Sequence, residues 1–164
     1  MTPNDKARLD SFDETRKTAL DEALSVGQPA DISVLDGVLS NQPLSFQGFD
    51  LTGDWQCRTI KAGGPVGLIV YGWFKCRVTD DGSGWMLAKL SGSQRTTGRF
   101  YDDGDKRLIY LGAFSVNEGP AKRYSSGLES DQIGYALHTG DDAWRIEFPA
   151  PYFDSKFDIL ELKR

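Results

Sequence analysis

Between Leu51 and Leu162 the chain alternates apolar and polar residues over eight short runs, broken by Asp-Gly and Gly-Ser turn chemistry. That period of two constrains the fold more than any other feature of the sequence. The runs are 51–60, 68–79, 85–90, 95–101, 107–116, 132–138, 143–148 and 157–163. Most of their connectors, such as Asp80-Asp81-Gly82-Ser83-Gly84, Ser91-Gly92-Ser93 and Asp102-Asp103-Gly104-Asp105, are the short glycine-bearing links that antiparallel hairpins need. Only 117–131 and the Pro149-Ala150-Pro151 stretch are longer. No helical segment separates the runs, which excludes a parallel sheet with helical crossovers. Eight antiparallel strands close a barrel just wide enough to be filled by side chains or to hold one small ligand.

Ahead of this region the period is that of a helix. Leu9, Phe12, Ala19, Leu20, Ala23 and Leu24 recur at three- and four-residue spacing. The pattern predicts a helix capped by Asp5 or Asp10 and stopped by Gly27 and Pro29. A shorter helix, N-capped by Asp31 and ended by Asn41-Gln42-Pro43, is expected next, with Ile32, Leu35, Val38 and Leu39 on one side. The expected organisation is one domain over 1–164, helical over 1–45 and a barrel over 50–164, with the helices covering one mouth or side.

A net charge of -5 argues against nucleic acid as partner, because phosphate neutralisation needs a clustered basic surface. The charge is unevenly spread. Residues 1–54 carry four basic groups against ten acidic ones, whereas residues 55–101 carry seven (Arg58, Lys61, Lys75, Arg77, Lys89, Arg95 and Arg99) against two. No apolar stretch reaches the ~20 residues of a membrane helix, so no membrane span is expected.

Strand parity sets Trp55 and Cys57 on one side of the first strand, and Val70, Phe74, Cys76 and Val78 on one side of the second. Arg58, Lys75 and Arg77 then point the other way, and most of the basic cluster is expected on the face opposite the cysteines. Arginine forks and the backbone N–H groups of a glycine turn hold carboxylates and phosphates well. Trp55, Arg58, Lys61, Lys89, Gln94, Arg95 and Arg99 are therefore the candidate ligand-binding residues. A hydrogen-bonded hairpin with a solvated basic face explains the same pattern without a ligand. His138 is expected at the surface of a strand end. The pairs Asp80-Asp81, Asp102-Asp103 and Asp141-Asp142 read as turn chemistry rather than a calcium site. Two cysteines and one distant histidine fall short of a zinc set, and neither a metal nor a cofactor is expected. The sequence contains no Gly-x-Ser-x-Gly and no His-Glu-x-x-His, so no catalytic residue is assigned and the expected role is non-enzymatic.

Gly53-Asp54-Trp55, opening the first strand behind a helical lead, resembles the Gly-x-Trp signature of lipocalins and other calycins. A broader resemblance is carried by Trp55-Gln56-Cys57-Arg58-Thr59-Ile60-Lys61, Trp73-Phe74-Lys75-Cys76-Arg77, Lys89-Leu90-Ser91-Gly92-Ser93-Gln94-Arg95, Leu111-Gly112-Ala113, Trp144-Arg145-Ile146-Glu147-Phe148-Pro149 and Phe157-Asp158-Ile159-Leu160-Glu161-Leu162. Together these segments are similar to a bacterial family of uncharacterised exported proteins, a domain of unknown function. The resemblance implies a periplasmic or exported location, with a signal peptide removed ahead of Met1. A cytosolic location is the literal reading of the polar start Met1-Thr2-Pro3-Asn4-Asp5. A hairpin centred on 65–67 brings Cys57 and Cys76 nearly opposite each other. In an exported protein they pair as a disulfide; in a cytosolic one they stay two buried thiols.

The fold expected is thus an eight-stranded antiparallel calycin-like β-barrel with N-terminal α-helices. Its expected role is binding a small or anionic ligand at the barrel mouth or basic face, as a monomer. The alternative is a protein-interaction or hydrolase-inhibitor module using the 117–131 loop on a protein partner.

Overall fold

A computed structural model describes all residues, Met1–Arg164. The alternating runs form eight strands: β1 (Gly53–Ala62), β2 (Leu68–Asp80), β3 (Trp85–Lys89), β4 (Gln94–Asp102), β5 (Leu108–Val116), β6 (Asp131–Gly140), β7 (Ala143–Pro149) and β8 (Phe157–Lys163). Each pairs antiparallel with its sequence neighbours, and β1 pairs with β8, so the sheet closes into a barrel in simple up-and-down order. Closure removes the edges that an open sheet of this length would expose.

The helical region holds three helices, α1 (Pro3–Asp10), α2 (Phe12–Val26) and α3 (Pro29–Leu39), not two. The periodic run breaks at Ser11, whose N–H bonds back to Ala7 and Leu9. Thr2, rather than Asp5 or Asp10, caps α1 by accepting from the Asp5 N–H. Pro29 occupies the first turn of α3, where a missing N–H costs nothing, so Asp31 lies inside that helix instead of capping it. At the far end of α3, buried Arg145 donates to the carbonyls of Val38 (3.0 Å) and Asn41 (2.8 Å) and to Glu147 (2.8 Å). The Glu147 carboxylate also accepts from Arg16 of α2 at 2.7 Å. Helices α2 and α3 lie along the outer wall formed by the ends of β1, β2 and β8 and α1 lies against β6, while the segment 44–51 turns under the barrel and closes one end, with Leu44 bridged to His138.

Two apolar clusters result. The larger, of 16 buried residues, fills the closed half of the barrel with Trp55, Trp144, Phe46, Leu87 and Tyr110. The smaller, of 9, lies outside the wall, where Ala19, Ala23 and Leu35 meet Ile60, Ala62, Leu68, Phe157 and Ile159. A register shift explains how β2 serves both. Between the pairs Arg58↔Trp73 and Ile60↔Val70, β2 carries one residue more than β1. Such a bulge reverses the facing of everything beyond it. Phe74, Cys76 and Val78 face inward, whereas Val70 packs against the helices, contrary to the expectation from uninterrupted parity.

Cys57 and Cys76 are joined by a disulfide with Cα atoms 5.9 Å apart. They are diagonal rather than directly opposed, since Cys57 pairs with Phe74 and Cys76 with Trp55. The bond ties β1 to β2 across a separation of 19 residues. Replacing both cysteines with serine is expected to lower unfolding free energy by roughly 2–4 kcal/mol, from the loop entropy returned to the unfolded chain. Urea unfolding of the double variant checks this, and an unchanged midpoint would contradict it.

Candidate ligand-binding site

At the end opposite the 44–51 plug the barrel is hollow. The opening leads to a cavity of about 330 Å³, lined by apolar Phe114, Phe148 and Leu160 and roofed on one side by Pro151, Tyr152 and Phe153 of the β7–β8 loop. Much of its polar lining comes from inward-facing strand positions, Thr59 and Lys61 of β1, Lys89 of β3, Gln94 and Thr96 of β4, Gln132 of β6 and Asp158 of β8, and the carboxylates of Glu129, Asp131 and Asp154 also line it.

The floor is built around Tyr110, which is fully buried. Its ring packs against Phe100 and Phe148, with centroids 5.3 and 5.7 Å away. It also lies so close to Gly98 and Gly112 that a Cβ at either would come within 2.6 or 2.7 Å of ring atoms. The Tyr110 hydroxyl is 2.8 Å from Thr96 Oγ1, which donates to Gln132 Oε1 at 2.6 Å. The donor order Tyr110 to Thr96 to Gln132 satisfies each hydroxyl and leaves the Gln132 NH₂ for the cavity. Burial holds the Tyr110 phenol well above the usual tyrosine range, so it remains a proton donor.

Two lysines point into this space. Lys61, 4% exposed, is held by Asp154 of the roof loop at 3.1 Å. Lys89, 8% exposed, has its Nζ 4.9 Å from the Phe74 ring centroid and has no carboxylate partner. Burial is the main cause that pulls the Lys89 ammonium below the ordinary lysine range, and the charges of Arg95 and Lys61 add to it. Asp158 is next to Lys61 in the β1–β8 register. Burial pushes its carboxyl up to about 6, against the opposing effects of a Ser155 hydrogen bond and Lys61.

Four of the seven candidate residues therefore meet at the mouth: Lys61, Lys89, Gln94 and Arg95. Arg95 is at the rim, where Nε donates to Gly92 O at 2.9 Å and fixes the β3–β4 turn. The other three lie elsewhere. Trp55 is in the closed half, its indole N–H donating to Leu51 O at 2.8 Å. Arg58 is on the outer face, bound to Glu161 at 2.8 Å and stacked 4.5 Å over Trp73. Arg99, also outside, pairs with Asp81. The basic face expected opposite the cysteines is thus divided, because Lys61 shares parity with Cys57 and Lys89 pairs directly with Cys76, which puts both inside.

Asp154, Asp158, Thr96 and Gln132 escaped sequence reasoning. For Asp158 the signal was present: it shares parity with core residues Leu160 and Leu162, an ionisable group on an inward face. His138 is not at the surface. It is 6% exposed, stacked on Trp144 at 5.1 Å, with Nδ1 2.9 Å from Ser45 O. Asp80 and Asp81 accept from the N–H groups of Gly82 and Ser83, as turn residues do. The 117–131 loop is folded onto α1, where Tyr124 donates to buried Asp5 and Arg8 donates to the Asp131 carbonyl. No three His, Cys, Asp or Glu side chains converge, and no helix is long and apolar enough to cross a membrane.

A model of the family described as "Domain of unknown function (DUF4893)" matches residues 1–162. The chain belongs to the DUF4893 family. No curated protein and no solved structure matches it. The match spans both the helical layer and the barrel, so the mouth cavity lies wholly within the DUF4893 domain.

The Asp158 carboxyl titrates higher in the folded chain than its ordinary value of 3.8. The folded state therefore holds more protons between those values, and this residue's contribution to stability falls as pH rises from about 4 to about 6. Asp158→Asn is expected to leave stability unchanged near pH 4 and raise it by roughly 1–3 kcal/mol at pH 7. Denaturant unfolding of both proteins at the two pH values checks this, and a uniform offset would contradict it.

Proposed function

We propose that this domain binds a small organic anion with an apolar body in the barrel mouth, as a non-enzymatic, exported protein. The observation that carries the reading is Lys89, a cation inside a cavity of about 330 Å³ with no carboxylate of its own. A buried charge without a partner is costly, and an incoming carboxylate or phosphate relieves that cost. The volume falls at the small end of the range for ligand pockets, about 300–1,000 Å³. Apolar walls with a few convergent polar groups are the usual make-up of such sites. The ligand's body would lie against Phe114, Phe148 and Leu160, and its charge would face Lys89, with the Gln132 NH₂ and the Arg95 rim as further donors. All of these groups come from one chain, so a monomer suffices. A disulfide between Cys57 and Cys76 suits an oxidising compartment, which supports export.

Calorimetry with phenylacetate and its neutral analogue phenylacetamide tests the reading. The carboxylate is expected to bind wild type, the amide to bind much more weakly, and Lys89→Met to abolish the difference. Equal binding of acid and amide would overturn the proposal. Because Asp158 loses its charge below about 6, the phenylacetate affinity is expected to rise as pH falls from 7.5 to 5.5. A gain of about threefold to tenfold matches a charge removed at short range in a partly screened cavity. Asp158→Asn should flatten that dependence.

A further inference from the structure

We propose that Lys89 is a carbonyl-capturing amine: the mouth accepts an aldehyde or 2-oxo acid and holds it reversibly as an imine on Lys89 Nζ. This rests on the mouth being a ligand site and specifies the ligand's class.

The geometry sets Lys89 apart from every other lysine. Lys6, Lys17, Lys75, Lys106, Lys122, Lys156 and Lys163 are exposed, and Lys61, though buried, is neutralised by Asp154. Lys89 alone combines burial, a place in the cavity wall and the lack of an acidic partner. Its apolar neighbour is the Phe74 ring, and its charged neighbours, Arg95 and Lys61, are both cations. Desolvation beside other positive charges is the environment that turns a lysine into a nucleophile, by raising the share of free amine at neutral pH. The same cations suit a 2-oxo acid, whose carboxylate adjoins the carbonyl that Lys89 would attack.

The chemistry balances without an added reagent. The ammonium gives up a proton, the amine lone pair attacks the carbonyl carbon, and the C=O π electrons move to oxygen. Protonation of that oxygen lets it leave as water while the C=N bond forms. One ammonium and one carbonyl give one protonated imine and one water, and nothing is oxidised or reduced. Asp158, whose carboxyl titrates near 6 in the same cavity, is the candidate proton carrier.

Reductive trapping tests the inference. The full chain is incubated with phenylpyruvate and cyanoborohydride, which turns the imine into a stable secondary amine, and the modified peptide is located by mass spectrometry. The adduct is expected on Lys89 ahead of the exposed lysines. It should be lost in both Lys89→Met and Lys89→Arg, with thermal melting showing that each variant folds, and suppressed by excess phenylacetate, which has no ketone. Labelling spread evenly over surface lysines, or adducts unchanged in the two variants, would overturn the inference. If no Lys89 adduct forms while phenylacetate still binds, covalent capture falls and the anion site stands. If phenylacetate does not bind either, both fall.

Discussion

The Tyr110 ring divides the barrel into a filled half and a hollow one. An eight-stranded barrel has an interior only a few side chains across, so a single large ring laid over it forms a floor. Gly98 and Gly112 make room for that ring, and Phe100 and Phe148 hold its edges. Below it, Trp55, Trp144, Leu87 and Phe46 interdigitate as a core does. Above it, the inward positions of the same strands carry Thr59, Lys61, Lys89, Gln132 and Asp158, which do not close over one another. A side chain added at Gly98 or Gly112 would push the ring from its seat and disturb both halves together.

Charge follows the same division. The excess of basic residues in 55–101 suggests a positive surface, yet on the outer wall it is largely cancelled. Arg58 is met by Glu161, Arg77 by Asp54 and Arg99 by Asp81. Pairs of this kind contribute little to stability in water, but they leave little net field on the outside. Lys75 stays unpaired in solvent and Arg95 at the rim, but the unpaired cation that is buried is Lys89, inside, where the dielectric is lower and a charge acts more strongly on whatever enters.

The strands were legible because period-two alternation and glycine turns are local signals; all eight runs lie within about two residues of the observed strands. The nearness of Cys57 and Cys76 was legible for the same reason, since parity and one hairpin put both on one face, whereas the bond between them depended on the compartment, which periodicity does not encode. Less could be read of the site. Inward and outward facing follow from parity only while a strand keeps its register, and the extra residue of β2 near Tyr71 and Gly72 leaves no mark that period counting detects. The expectation of a basic face rested on Arg58, Lys75 and Arg77 and gave Lys61 and Lys89 no inward place, although their parity matches Cys57 and Leu87. The roof loop's Asp154 belongs to no strand, so no periodicity could connect it to Lys61, 93 residues away.

The β2 bulge and the helical layer answer one physical problem. A hollow half of a barrel has no internal core to hold its strands, so apolar burial there has to come from outside. With unbroken alternation, Leu68 and Val70 would point into the mouth alongside Phe74 and Cys76, filling the space that now holds polar groups. The extra residue turns them outward, where they join Ile60, Ala62, Phe157 and Ile159 under α2 and α3. At about 25 cal/mol per Å² of apolar surface removed from water, such an external cluster replaces much of the support a filled interior would supply. Arg145 and Glu147, both buried, fix the end of α3 and Arg16 of α2 to β7 through hydrogen bonds that leave neither charge alone. The mouth can therefore stay open and polar because its walls are braced from behind, which gives the N-terminal helices a direct part in keeping the cavity.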